Sequence, residues 1–130
     1  MAWKDEYSVG LDTIDEQHKK FIAMLSRLSD ALAVNRDNIT SILDELVEYA
    51  DEHLSFEEKY FAEFHYDCTD DHIKEHDFYR KKIAEFQEAF FDGRDLLLVE
   101  MLEFLERWLE HHIMISDRKY VECFREYGMK

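Results

Sequence analysis

Histidines and carboxylates recur together in this chain at spacings that could hold metal. His53 is followed four residues later by Glu57, His72 four later by His76, and His112 five later by Asp117, while His18 stands by itself. Imidazole nitrogens with carboxylate oxygens are a donor set that first-row transition ions take. Two residues at i and i+4 project from one helix face, so each such pair could grip one ion or two adjacent ones. Singly the pairs say little. His-x-x-x-Glu and His-x-x-x-His arise by chance on polar helices, and a lone inward histidine such as His18 is more often a hydrogen-bonded core residue. The set of seven reads differently, because burying five imidazoles and two carboxylates without a cation would be very costly.

Helices must position these groups. No proline and only three glycines interrupt the 130 residues, and Leu, Glu, Lys, Phe and Ala fill the long segments, so an all-α chain is expected. Residues 1–11 lack periodicity but hold Trp3, Tyr7, Val9 and Leu11, an arm suited to packing across the helices. Thr13 with Glu16 reads as a capping box opening a first helix over about 12–34. Its apolar stripe, Ile14, Phe21, Leu25, Leu28 and Leu32, takes in His18. A second helix over about 38–65 carries Ile39, Ile42, Leu46, Tyr49 or Ala50, His53, Glu57, Tyr60 and Phe64 in steps of three and four. Thr69 is the expected cap of a third helix, about 70–92, striped by His72, His76, Tyr79, Ile83, Phe86 and Phe90 and stopped at Gly93. Asp95 is the expected cap of a fourth, about 95–115, with Leu98, Met101 or Leu102, Leu105, Leu109 and His112 inward. Tyr120, Val121 and Phe124 suffice for a short C-terminal helix over about 117–127.

Short connections between helices of similar length favour antiparallel neighbours, hence an up-down-up-down four-helix bundle forming one domain over residues 1–130. Helix direction then tests the metal idea. His18 lies near the start of the first helix, His53 and Glu57 late in the second, His72 and His76 at the start of the third and His112 at the end of the fourth. Starts of odd helices and ends of even ones share one end of such a bundle, so all seven candidates should fall in one layer. Asp117 is the awkward member. Five residues rotate about 140° around an ideal helix, too far for one face. Either the helix unwinds there or a single π-type turn brings Asp117 inward; taken alone, Asp117 could equally cap the last helix. His111 should face elsewhere and His65 lies in a connection, so both stand outside the candidate site.

The 31 acidic residues outweigh 16 basic ones for a formal charge of -15, which repels phosphate backbones and anionic headgroups and argues against nucleic-acid and membrane partners. Most of the acids fall on outer helical faces beside Lys and Arg, as a solubilising surface does. Nothing in the first residues resembles a signal peptide and no apolar window reaches membrane-spanning length, so a soluble cytoplasmic protein is expected. Cys68 and Cys123 lack a Cys-x-x-Cys companion and are expected as free thiols.

If two six-coordinate ions share the layer, five imidazoles, two bridging carboxylates and one bridging oxygen leave a single position open for a small ligand. The motifs Asp15-Glu-Gln-His18, His53-x-x-x-Glu57, His72-x-x-x-His76 and His112-x-x-x-x-Asp117, in that order and over nearly the whole chain, resemble those of the hemerythrin family, specifically its bacteriohemerythrin-like single domains. The resemblance implies two iron ions joined by an oxo or hydroxo bridge. One would be held by His72, His76 and His112 and the other by His18 and His53, with Glu57 and Asp117 bridging. It also implies reversible binding of dioxygen at the less saturated iron, for transport, storage or buffering. Phe21, Leu109 and Ile113 would line an apolar ligand pocket, and Trp108-Leu109 resembles the family's pocket segment; the same residues could serve only to pack the core. Competing readings are an oxygen or redox sensing module with a signalling partner, and an enzyme, whether a di-iron oxidase, a peroxidase or a nitric oxide reducing protein. Oxygen-activating bundles draw more glutamates into the site, which favours binding over catalysis.

Overall fold

A computed structural model describes residues 1–130. Four long helices, α1 (Asp12–Ala33), α2 (Ile39–Glu63), α3 (Thr69–Phe91) and α4 (Asp95–His111), follow one another through short connections, with a last helix α5 (Val121–Glu126). Neighbours in sequence are neighbours in space: α1 packs on α2, α2 on α3, α3 on α4, and α4 closes the bundle against α1. The expected all-α four-helix bundle is what forms. A turn of 3₁₀ helix, Arg36–Asn38, leads into α2, so that helix begins after residue 38. None of the helices is long and apolar enough to cross a membrane.

The ends are held by other devices than the expected caps. Thr13 is already inside α1, whose N-cap is Leu11 with no side-chain bond. Capping would need a side chain with extended backbone one residue before the helix, and Thr13 comes too late. Instead the Asp15 carboxylate accepts from the Ser8 hydroxyl at 2.5 Å and the Val9 N–H at 2.9 Å, tying the arm to the helix, and the Lys130 carbonyl accepts from the Asp12 N–H at 3.1 Å. Thr69 is likewise the first residue of α3, its hydroxyl donating to the Tyr66 carbonyl at 2.6 Å. Asp95 is the first residue of α4 and pairs with Arg36 at 3.0 Å. Gly93 does stop α3, with φ of 72°. The corresponding left-handed residue after α2 is His65, φ 54°, where the Tyr66 N–H returns to the Phe61 carbonyl at 2.9 Å.

The stripes pack largely as spaced, with one correction at the end of α2. Phe61, four residues after Glu57, is fully buried, whereas Tyr60 and Phe64 are only half-buried. A step of four from Glu57 keeps the side chain on the seam; a step of three swings it to the edge. Phe90 is similarly half-buried while Ala89 is buried.

Buried apolar side chains form two clusters. The larger contains Phe21, Leu25, Leu28, Leu46, Tyr49, Tyr79, Ile83, Leu105, Leu109 and Ile113; the smaller contains Leu11, Ile14, Phe61, Tyr66, Tyr120 and Phe124. The break between them falls at the same depth on every helix: between Ile14 and Phe21 on α1, Ala50 and Phe61 on α2, Tyr66 and Tyr79 around the start of α3, and Ile113 and Tyr120 beyond α4. Burial of each large apolar side chain stabilises by about 1.5–3 kcal/mol, and the bundle gives up that gain across one whole layer.

Candidate metal centre

That layer holds the seven polar residues. His18, Glu57, His76 and Asp117 are 0% exposed, and His53, His72 and His112 no more than 3%. His111 and His65 are exposed and stand apart from it. Glu57, His72, His76, His112 and Asp117 bring one donor atom each within 4.8 Å of one another, and His18, His53 and Glu57 do the same. The two nests share Glu57.

Asp117 reaches the layer through an irregular turn. After His111 the chain runs through one π turn, His112–Ser116, and then a 3₁₀ turn, Asp117–Tyr120. The wider turn spreads five residues over the angle that four occupy in an α-helix, so Asp117 lies on the same face as His112. The expected single helices over 95–115 and 117–127 are thus replaced by α4, these two turns and α5.

Asp117 divides the histidines between its two oxygens. Oδ1 lies 3.0 Å from His72 Nε2 and 3.0 Å from His112 Nε2, while Oδ2 lies 3.0 Å from His18 Nε2. Glu57 Oε1 lies 3.3 Å from His76 Nε2 and 3.5 Å from His53 Nε2. Donors that share a first-row ion at about 2.1 Å stand roughly 3.0–3.4 Å apart, so these separations suit neighbouring donors around a metal.

Hydrogen bonding tests that fit. Nε2 of His18, His72, His76 and His112 and all four oxygens of Glu57 and Asp117 are buried with no hydrogen-bond partner. The Nδ1 of His53 faces the Gln17 carbonyl oxygen at 2.7 Å and that of His76 faces the Glu58 carboxylate at 2.8 Å. Both neighbours accept, so each ring donates from Nδ1 and in its neutral form turns the Nε2 lone pair toward Glu57. Nitrogen lone pairs facing carboxylate oxygens in a dry interior are relieved by a cation, either a metal ion between them or a proton on the ring. Histidines and carboxylates in this number suit iron and its first-row neighbours.

Titration follows the same field. Burial pushes His53 down to about 4, against the pull of Glu57. Burial opposes charging of His112 too, yet Asp117 lifts it to about 10. Asp117 resists burial and is held well below the usual carboxylate range by the imidazoles around it, His112 foremost.

The aromatic surroundings separate the layer from water. Phe61 sets its ring 4.7 Å from His72, and Phe21 sits 5.9 Å from the His53 ring. Trp108 stacks on His112 with centroids 4.5 Å apart and on Tyr79 at 4.1 Å. Phe21, Leu109 and Ile113 are all buried within the larger apolar cluster beside the layer.

A family model for the hemerythrin HHE cation binding domain matches residues 9–124. The chain is 37% identical over 127 residues to a bacteriohemerythrin of Clostridium acetobutylicum, covering 93% of this chain and 98% of that one. It is 33% identical over 123 residues to a bacteriohemerythrin of Stenotrophomonas maltophilia, covering 94% and 80%. The chain belongs to the hemerythrin family. A crystal structure of wild-type hemerythrin superposes on it with a TM-score of 0.85 at 30% identity, covering 95% of this chain and 96% of that one.

Within this hemerythrin fold, sequence reading missed the residues behind the histidines. Gln17 backs His53, Glu58 backs His76, and Glu75 stands 3.3 Å from His112 Nδ1. Each is the chain neighbour of one inward residue (His18, Glu57, His76) and serves a histidine on the next element around the bundle. Glu58 is in turn gripped by Arg80 at 2.9 and 3.2 Å, and Glu75 accepts from Ser116 of the π turn at 3.0 Å. The available signal was position: a polar side chain next to a seam residue lies at the seam's edge, within reach of the adjacent helix.

Proposed function

We propose that this protein binds dioxygen reversibly at a centre of two iron ions, one of which His72, His76 and His112 would hold and the other His18 and His53, with Glu57 and Asp117 serving both. The observation that carries the reading is Asp117, whose two oxygens face histidines of different nests at 3.0 Å. A pair of ferrous ions held there would supply the two electrons that reversible dioxygen binding uses.

The chain's own residues favour binding over onward chemistry. The less crowded nest, His18 and His53, faces Phe21, whose ring is 5.9 Å from His53. Phe21, Leu109 and Ile113 form an apolar wall that excludes water and offers no proton to a bound ligand. Gln17 and Glu58 fix the ring orientation of His53 and His76 through Nδ1, leaving Nε2 free to ligate.

Spectroscopy of the iron-loaded, reduced protein tests this reading. Admitting oxygen should produce a visible charge-transfer band that disappears when oxygen is removed, over repeated cycles. Irreversible oxidation in the first cycle, with hydrogen peroxide released, would overturn the binding function.

A further inference from the structure

The two nests differ in what stands behind their imidazoles. In the five-residue nest, His76 Nδ1 hydrogen-bonds the Glu58 carboxylate at 2.8 Å, and His112 Nδ1, which makes no hydrogen bond, has the Glu75 carboxylate 3.3 Å away as a neighbouring charge. In the three-residue nest, His53 Nδ1 meets the neutral Gln17 amide at 2.7 Å, and His18 Nδ1 is buried with no partner. Anionic support is confined to one side of the centre. A carboxylate close behind a ligating imidazole raises the basicity of the far nitrogen, and locks the ring where it is hydrogen-bonded; a neutral amide locks the ring with less charge, and a nitrogen with neither group behind it gains nothing.

We infer that Glu58 and Glu75 set an order of metal occupancy: the nest of His72, His76 and His112 fills first and releases its ion last, and the nest of His18 and His53 fills second and empties first. The inference rests on the reading of the cluster as a two-ion site. Glu58, Glu75 and Gln17 are positioning residues that act through the histidines they contact. Geometry alone also gives the first nest more donors, so the contribution of the carboxylates has to be separated from donor number. Glu75 permits this better than Glu58, because Arg80 binds Glu58 through two nitrogens while Glu75 has the Ser116 hydroxyl as its hydrogen-bond donor.

Occupancy order also gives the single uncharged support a purpose. With Gln17 rather than an acid behind His53, the second nest carries less negative charge and holds its ion more loosely. Gln17 sits beside His18 in sequence, so one substitution there changes the charge behind His53 without touching a proposed ligand.

The experiment is a titration of the metal-free 130-residue chain with cobalt(II) alone, without air, followed by calorimetry and by visible absorption, which reports the ligand field of each bound ion. Wild type should take up cobalt in two phases, the first at least about 10-fold tighter. Glu75→Gln should weaken the first phase by about 10-fold, within the range expected for an outer partner, and leave the second unchanged. Gln17→Glu should tighten the second phase and narrow the gap. Glu75→Gln behaving as wild type, with only Glu75→Ala weakening the first phase, would overturn the role of charge. Two equal phases in wild type, or a first phase weakened by His53→Ala instead of by His76→Ala, would overturn the order. No cobalt uptake at all would overturn the two-ion reading itself, and the order with it.

Discussion

Asp117 stands five residues beyond His112, yet its Oδ1 lies 3.0 Å from the Nε2 of that histidine. The π turn His112–Ser116 makes the two residues share a face. It also turns Ser116 inward, 4% exposed, where its hydroxyl holds Glu75 behind the same histidine. One backbone irregularity therefore sets a carboxylate on one side of His112 and a supported carboxylate on the other.

Because the two Asp117 oxygens face different nests, Asp117→Ala should deplete both metal positions, whereas His53→Ala should deplete chiefly one. Affinity should fall by more than the roughly 10–100-fold typical of losing an outer partner. Metal analysis after dialysis, with circular dichroism to establish that the bundle persists, measures this; equal metal content in wild type and Asp117→Ala would remove that residue from the site.

Phe61 is fully buried and lies 4.7 Å from the His72 ring, whereas Leu28, also fully buried, belongs to the larger apolar cluster. Phe61→Ala should cost about 3–5 kcal/mol of stability and Leu28→Ala about 2–5 kcal/mol. Urea unfolding of the metal-free proteins gives both figures. Only Phe61→Ala should also weaken metal binding, since it loosens the wall behind His72 and His76; equal metal affinities in the two variants would contradict this.

Fold class and depth of the site were legible in the chain because both follow from periodicity: one inward face per helix and alternating direction bring His18, His53, Glu57, His72, His76 and His112 to one layer. Asp117 required one further step, since its offset demanded an irregular turn without choosing between unwinding and a π turn. The N-caps differ from those expected for a physical reason, although Gly93 stops α3 as expected. Thr13, Thr69 and Asp95 have the composition of caps, but capping depends on which residue carries extended backbone, and the arm and the preceding turns decide that. Gln17, Glu58 and Glu75 escaped because their partners lie on neighbouring helices, and relative helix rotation is not encoded in any one helical stripe.

His65 ends α2 with φ of 54°, a left-handed conformation costing about 1–2 kcal/mol for a residue with a Cβ. His65→Gly should stabilise the protein by about 0.5–1 kcal/mol, the relief of strain exceeding the added freedom of the unfolded chain. Chemical denaturation should show a higher midpoint with an unchanged slope; a lower midpoint would mean that the exposed imidazole makes a compensating contact.

Burial and the neighbouring Glu110 raise Tyr7 from 10.0 to about 12. The unfolded chain loses this proton near pH 10 while the folded one keeps it, so the contribution is complete below pH 10 and is lost as pH rises from 10 toward 12. Tyr7→Phe should therefore unfold less steeply with alkali across that window than wild type. Denaturation midpoints at pH 9 and 11.5 report the difference, and an identical loss in both proteins would contradict the role of the Tyr7 hydroxyl.

Counting iron per chain by elemental analysis of protein loaded anaerobically and freed of loosely held metal tests the central claim most directly. The seven-residue layer predicts two iron ions per chain in wild type and a clear deficit in Glu57→Ala, whose Oε1 lies between His53 and His76. A wild type that retains no iron, or a Glu57→Ala protein that retains two ions, would contradict the account.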